Sequence, residues 1–276
     1  MKKIIINILI LLVVIIMLAL AAGRIGLSIA FSGEVKQLFD QSKNISDRRF
    51  SFSQLSSLPE PVQLYFKHVL KDGQPYISYV RLKHTGTFKT GLDKEPVEIT
   101  GEEYFTTDTP GFVWKGVTSF FTGRDMYVSG KGRLIVSLFS LVKIVDGSGP
   151  DYDQGELLRW LGESVWFPTN LLPSERLRWT PIDSHTAGLT FNYNNITLYY
   201  RVGFNENYEI TEFETKRSMG KNRIETWIGR AGDYREINGI MIPLKIAASW
   251  RLGGADYSYA EFHVKEIEFV DADREW

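Results

Sequence analysis

The sequence predicts a mainly β fold of the α+β kind: one N-terminal transmembrane helix, then an antiparallel sheet curled into a half-barrel or barrel, with one or two helices packed on its concave face. Three observations predict it. Aromatic residues make up 13% of the 276 positions, with 7 Trp and 13 Tyr, a bias towards strands. Beyond Tyr76 most segments alternate apolar and polar residues with a period of two. The first 22 residues instead carry an apolar run interrupted only by Asn7.

That run extends from Ile4 to Ala22, and at ~1.5 Å per residue it approaches the ~30 Å hydrocarbon core of a bilayer. Lys2 and Lys3 precede it, so the positive-inside tendency places the N-terminus in the cytoplasm and the rest of a single-pass protein beyond the cell membrane. Arg24, on the exit side, opposes this orientation without reversing it. The rival reading is a cleaved signal peptide, for which Ala19-Leu20-Ala21 has the small-x-small form; the run is longer than the ~7–15 residues of a typical signal core. The chain has no Cys, which excludes a lipoprotein anchor, disulfides, zinc-thiolate sites and thiol nucleophiles. With Lys2, Lys3 and Arg24 set aside, 29 basic residues face 33 acidic ones, a balance that disfavours nucleic acid as a partner. These features divide the chain into a cytoplasmic N-terminus and transmembrane helix (1–30), a juxtamembrane helix and linker (31–57) and one extracytoplasmic β-rich domain (58–276).

Val35, Leu38, Phe39 and Ile45 mark a short helix over 34–45. Ser57-Leu58-Pro59-Glu60 has the form of a capping box, and Val62, Tyr65, Phe66, Val69 and Leu70 follow at helical spacing, so a helix is expected from Pro59 to Lys71. Val80, Leu82, His84 and Phe88 then share one face of a strand. Similar strands are expected at 97–105, 111–118, 125–129 and 133–142. A second helix, capped by Asp153, is expected over Gly155–Ser164. Strands at 176–180, 187–193, 196–204, 208–216, 224–236, 240–251 and 256–269 follow, joined by turns such as Asn194-Asn195, Asn238-Gly239 and Gly253-Gly254. About a dozen strands exceed what a flat sheet carries, so the sheet should curl.

No strong chemical motif emerges. His68, His84, His185 and His263 lack zinc-helix spacing and read as ordinary strand or surface residues; no cofactor, metal or catalytic residue is expected. The most unusual stretch is Arg159 to Thr169, RWLGESVWFPT, in which Arg159 and Glu163 can pair at i, i+4 and Trp166 and Phe167 form an apolar wedge. It is read first as a helix locked onto the sheet by aromatic packing, and alternatively as a ligand-lining segment. Trp114, Trp179, Trp227 and Trp250, with Arg124, Asp125, Asp183 and Arg217, would line a cavity if they point inward.

The segments LPEPVQLYFKHVL (58–70), VRLKHTGTF (80–88), PGFVW (110–114), GRDMYVSGKG (123–132), the run from Leu157 to Asp183 and GIMIPLKIAASWRL (239–252) resemble a bacterial family of membrane-anchored proteins of unassigned function. The resemblance implies no activity. The expected architecture is also similar to the lipoprotein carriers of LolA and LolB type. The leading functional expectation is a tethered binding module for a lipid, acyl chain or other apolar ligand, with Trp114, Arg159, Glu163, Trp166, Arg217 and Trp250 as its contacts. The alternatives are an envelope hydrolase using Asp151, Asp153, Glu156 or Glu163, and a structural or partner-binding envelope protein.

Overall fold

A computed structural model describes residues 2–220 and 222–269; positions 270–276 of the expected domain lie outside the described residues. Thirteen strands form one antiparallel, curled sheet that does not close. The chain enters it in the middle. Strands β1 (Tyr79–Phe88), β2 (Val97–Thr106), β3 (Gly111–Val117), β4 (Phe121–Val128), β5 (Lys131–Leu138) and β6 (Val142–Ser148) step outward to one edge. The chain then crosses to the opposite edge and returns through β7 (Leu177–Asp183), β8 (Thr186–Tyr193), β9 (Ile196–Phe204), β10 (Ile210–Ser218), β11 (Ile224–Ile237), β12 (Ile240–Leu252) and β13 (Ala255–Phe269), which pairs with β1. The single run expected at 133–142 is two strands, because Phe139 and Ser140 adopt left-handed conformations (φ +50° and +61°) and turn the chain.

Helix α3 (Pro150–Glu163) makes the crossing on the concave side, packing against β3–β6 on one flank and β9 and β10 on the other. It is pinned by two hydrogen bonds in its apolar stripe. The Trp160 indole donates to Thr106 O (3.0 Å), and the Tyr200 hydroxyl donates to Leu158 O (2.9 Å). The cap differs from expectation: Gly149 holds the N-cap position, whereas Asp153 lies inside the helix and accepts from Gly132 N (2.8 Å) and Lys131 Nζ (3.0 Å). Helix α2 (Glu60–Val69) likewise starts on Pro59 without a side-chain cap, and a capping box forms instead at Ser51 and Gln54, ahead of the 3-10 turn Phe52–Leu55. Alternate residues of the strands and the inner faces of α2 and α3 form the main core, in which Tyr65, Phe105, Trp160 and Trp166 are completely enclosed.

Helix α1 is one continuous helix, Lys2–Asp40, so the boundary expected at residue 30 falls inside it. Its first part stands free: Ile4 to Leu18 are exposed, and the helix is long and apolar enough to cross a membrane. Its last turns dock on the convex face of the sheet. Phe31, Val35 and Leu38, spaced i, i+4, i+7, pack with Tyr104, Val113, Met126, Val128 and Ile135 in a second, smaller core. Glu34 pairs with Arg124 within this contact, and burial raises its carboxyl pKa despite that partner. Ile45, by contrast, is exposed and belongs to no helix.

Candidate functional site

The concave side holds a cavity of about 660 Å³. The strand register explains why space is left there. Phe213, Gly229, Ala248, Ala260 and Phe88 are successive neighbours across β10, β11, β12, β13 and β1, so three small side chains sit between two large ones in a single row. Trp114, Trp227, Trp250, Tyr259 and Phe262 wall the space around that row. The Trp114 ring is itself framed by glycines: a side chain at Gly116 would run into it, and one at Gly123 would press on it.

One end of the cavity is strongly polar. Arg159, on α3, donates from Nε to Glu163 (2.9 Å), from Nη1 to Asp125 (2.7 Å) and from Nη2 to Glu103 (2.9 Å), and its guanidinium lies 4.8 Å from the centroid of the Trp114 ring. Every hydrogen-bonding nitrogen of Arg159 is thus engaged. Arg217, on β10, lies 3.6 Å from Glu156 and 5.6 Å from the Trp227 centroid, and among the described residues its guanidinium donates no hydrogen bond. Gly155 makes room for it, since a Cβ there would come within 3.1 Å of its nitrogens.

Four carboxyl groups therefore meet two guanidinium groups in a site nearly closed to water. Burial raises the pKa values of Glu103, Asp125, Glu156 and Glu163, opposed by the arginines. Glu103 and Glu163 also act on one another, the charge of Glu163 adding to the rise at Glu103. Glu156 is pushed up to about 8 by burial and by the charge of Asp125, which leaves it protonated at neutral pH. Behind Trp114, the buried His84 ring accepts its indole N–H (2.8 Å) and stacks on Phe262 (4.1 Å between centroids). Burial and the nearby Arg159 depress its pKa to about 3, so it is neutral; Gly101 opposite leaves space for its ring.

A protein-family model described as a family of unknown function, DUF6544, matches residues 48–262. The chain belongs to that family. No curated protein matches the sequence significantly. The crystal structure of a LolA superfamily protein from Nitrosomonas europaea is similar over 75% of this DUF6544 chain and 91% of the other, at 13% identity and a TM-score of 0.42.

Of the six residues singled out in sequence, Trp114, Arg159, Glu163, Arg217 and Trp250 line this one cavity of the DUF6544 fold. Trp166 does not: it is completely buried, with its indole donating to Pro243 O (3.0 Å) and its ring against Phe105. Trp179 is likewise a packing residue bonded to Leu171 O, Arg124 sits on the convex face with Glu34, and Asp183 ends strand β7. Among the acids considered for hydrolysis, Asp153 serves Lys131 and Gly132, and Asp151 accepts from Ser218. Both Asp151 and Glu156 lie on the cavity wall. Sequence reasoning passed over Glu103, although it shares the inward parity of Ile99, Gly101 and Phe105, where an acid is out of place.

Proposed function

We propose that this protein is a membrane-tethered binding module for a lipid or other amphipathic ligand in the bacterial envelope, with α1 as a single-pass anchor, the N-terminus cytoplasmic and the β-rich domain outside. The observation that carries this reading is the roughly 660 Å³ cavity, apolar along its small-residue row and polar at one end. Its size suits an acyl chain. Arg159 already holds three carboxyl groups, one on each of its nitrogens, so its role is to hold the polar end together. Arg217 and protonated Glu156 are the donors left over, and both can give hydrogen bonds to an oxyanion, a carboxylate or a phosphate, on the ligand head. Trp114, Trp227 and Trp250 then cover the apolar part.

Native mass spectrometry of the detergent-extracted full chain, with lipid analysis of what co-purifies, tests the reading. A discrete stoichiometric adduct enriched over bulk membrane lipid, and weakened in Arg217→Gln, is expected. Only bulk lipid, unchanged in the variant, would sink it.

A second reading has its own observation. Asp125, Glu156 and Glu163 converge on one cavity with raised pKa values, as a carboxylate hydrolase requires. Under that reading Glu156→Gln retains the bound adduct but abolishes its breakdown on incubation.

A further inference from the structure

We propose that the hairpins β3–β4 and β5–β6 form a seat that enters the outer face of the bilayer crossed by α1. The inference rests on α1 spanning that bilayer and not on any ligand in the cavity. Helix α1 acts as a ruler along the convex face. Leu38 lies against Gly111 and Gln41 accepts from Ser129, both at one end of β3 and β4. Glu34 pairs with Arg124 further along, and Gly23 reaches the β5–β6 turn, where a Cβ would come within 2.6 Å of Leu141 Cδ2. Gly23 is the residue directly after the apolar run Ile4–Ala22. The turn touching it must therefore lie where the helix emerges from lipid.

The residues presented at that level are those a membrane interface accepts. Phe120, Phe139, Leu141, Val142 and Ile144 are each between 46% and 59% exposed. The two hairpins are joined into one surface, with Phe139 N donating to Phe120 O (2.8 Å) and the Phe120 and Phe139 rings edge to face at 6.4 Å. Phe139 also adopts φ +50°, a left-handed conformation that costs a bulky residue energy. Other turns of this sheet meet the same demand with Asn-Asn, Asn-Gly or Gly-Gly, so folding alone does not call for an aromatic here. Phe121 and Val136, one and two residues in from the exposed Phe120 and Leu138, line the cavity and continue the apolar surface towards its interior.

The chain has no Cys, which permits single-cysteine labelling of the full-length protein. An environment-sensitive fluorophore at Phe120→Cys or Leu141→Cys is read in phosphatidylcholine–phosphatidylglycerol vesicles containing a lipid-borne, shallow quencher. Glu206→Cys, on a turn where the side chain is 93% exposed, gives the aqueous reference, and Leu12→Cys reports the anchor. Quenching at positions 120 and 141 should exceed that at 206 by roughly threefold, and adding Phe139→Glu should bring position 141 down to the level of 206 while Leu12 stays quenched. Tips quenched no more than 206, with Leu12 quenched, would overturn the seat alone; loss at Leu12 as well would remove the anchor and the seat together. Protection of the tips that rises with protein density without lipid quenching would assign the surface to a second copy instead.

Discussion

Arg159 makes three charge-assisted hydrogen bonds to Glu163, Asp125 and Glu103 in a site nearly closed to water, so removing it strips these carboxyl groups of the cation they bond to. Arg159→Met should destabilise the fold by about 3–5 kcal/mol in denaturant titrations, and adding Glu163→Gln should recover part of the loss. Glu156 predicts a pH effect of defined sign. Its pKa is raised from 4.5 to about 8 in the folded state, so the folded form holds a proton that the unfolded form has lost, and stability falls as pH rises through that interval. His84 acts the other way below its ordinary 6.5, since its folded value near 3 makes stability rise with pH there. The window from 6.5 to 8 is therefore free of the histidine. Across it, one proton's share amounts to roughly 2 kcal/mol, which Glu156→Gln should remove from the slope of thermal stability against pH.

At the level of elements, most strands were legible because they bury one face, and Val80, Leu82 and His84 or Leu198, Tyr200 and Val202 show that alternation directly, whereas β6 buries none of its residues. Helix α3 was legible through Leu157, Leu158 and Leu161, though Asp153 looked like a cap because nothing local reveals that Lys131 and Gly132 wait for it across space. The charge cluster was only half legible. Arg159 and Glu163 are one turn apart, whereas Glu103 and Asp125 arrive from β2 and β4 and become partners only once the sheet curls. The docking of α1 was hidden for a related reason: Phe31, Val35 and Leu38 form a helical stripe, but whether a stripe faces lipid, solvent or a sheet is decided by the other surface. Leu38 is completely buried in that contact, and Leu38→Ala should weaken docking by about 2–5 kcal/mol. Hydrogen exchange should then quicken over residues 31–40 while the β1 and β13 amides keep their protection.

Over the whole molecule, an open antiparallel sheet of thirteen strands has two edges and a concave side too broad for one helix to fill. Helix α3 covers the part between β3–β6 and β9–β10, and its polar turn forms one end of the space that is left. What remains is set by the row Gly229, Ala248 and Ala260, where the register aligns three small residues, although a well-packed core would alternate large and small across facing strands. An unfilled row of this kind forgoes dispersion contacts, a cost that packing alone does not explain and that a resident ligand would offset. Ala248→Phe discriminates between these accounts. Adding an aromatic ring to empty space leaves folding stability equal or higher, because it fills a void without straining the neighbouring strands. If the cavity is a binding site, the same substitution should displace the co-purifying adduct in native mass spectra, while circular dichroism and the melting temperature of delipidated protein hold or improve. A variant that folds as well as the parent and keeps its full complement of adduct would show that the ligand sits somewhere else on this surface.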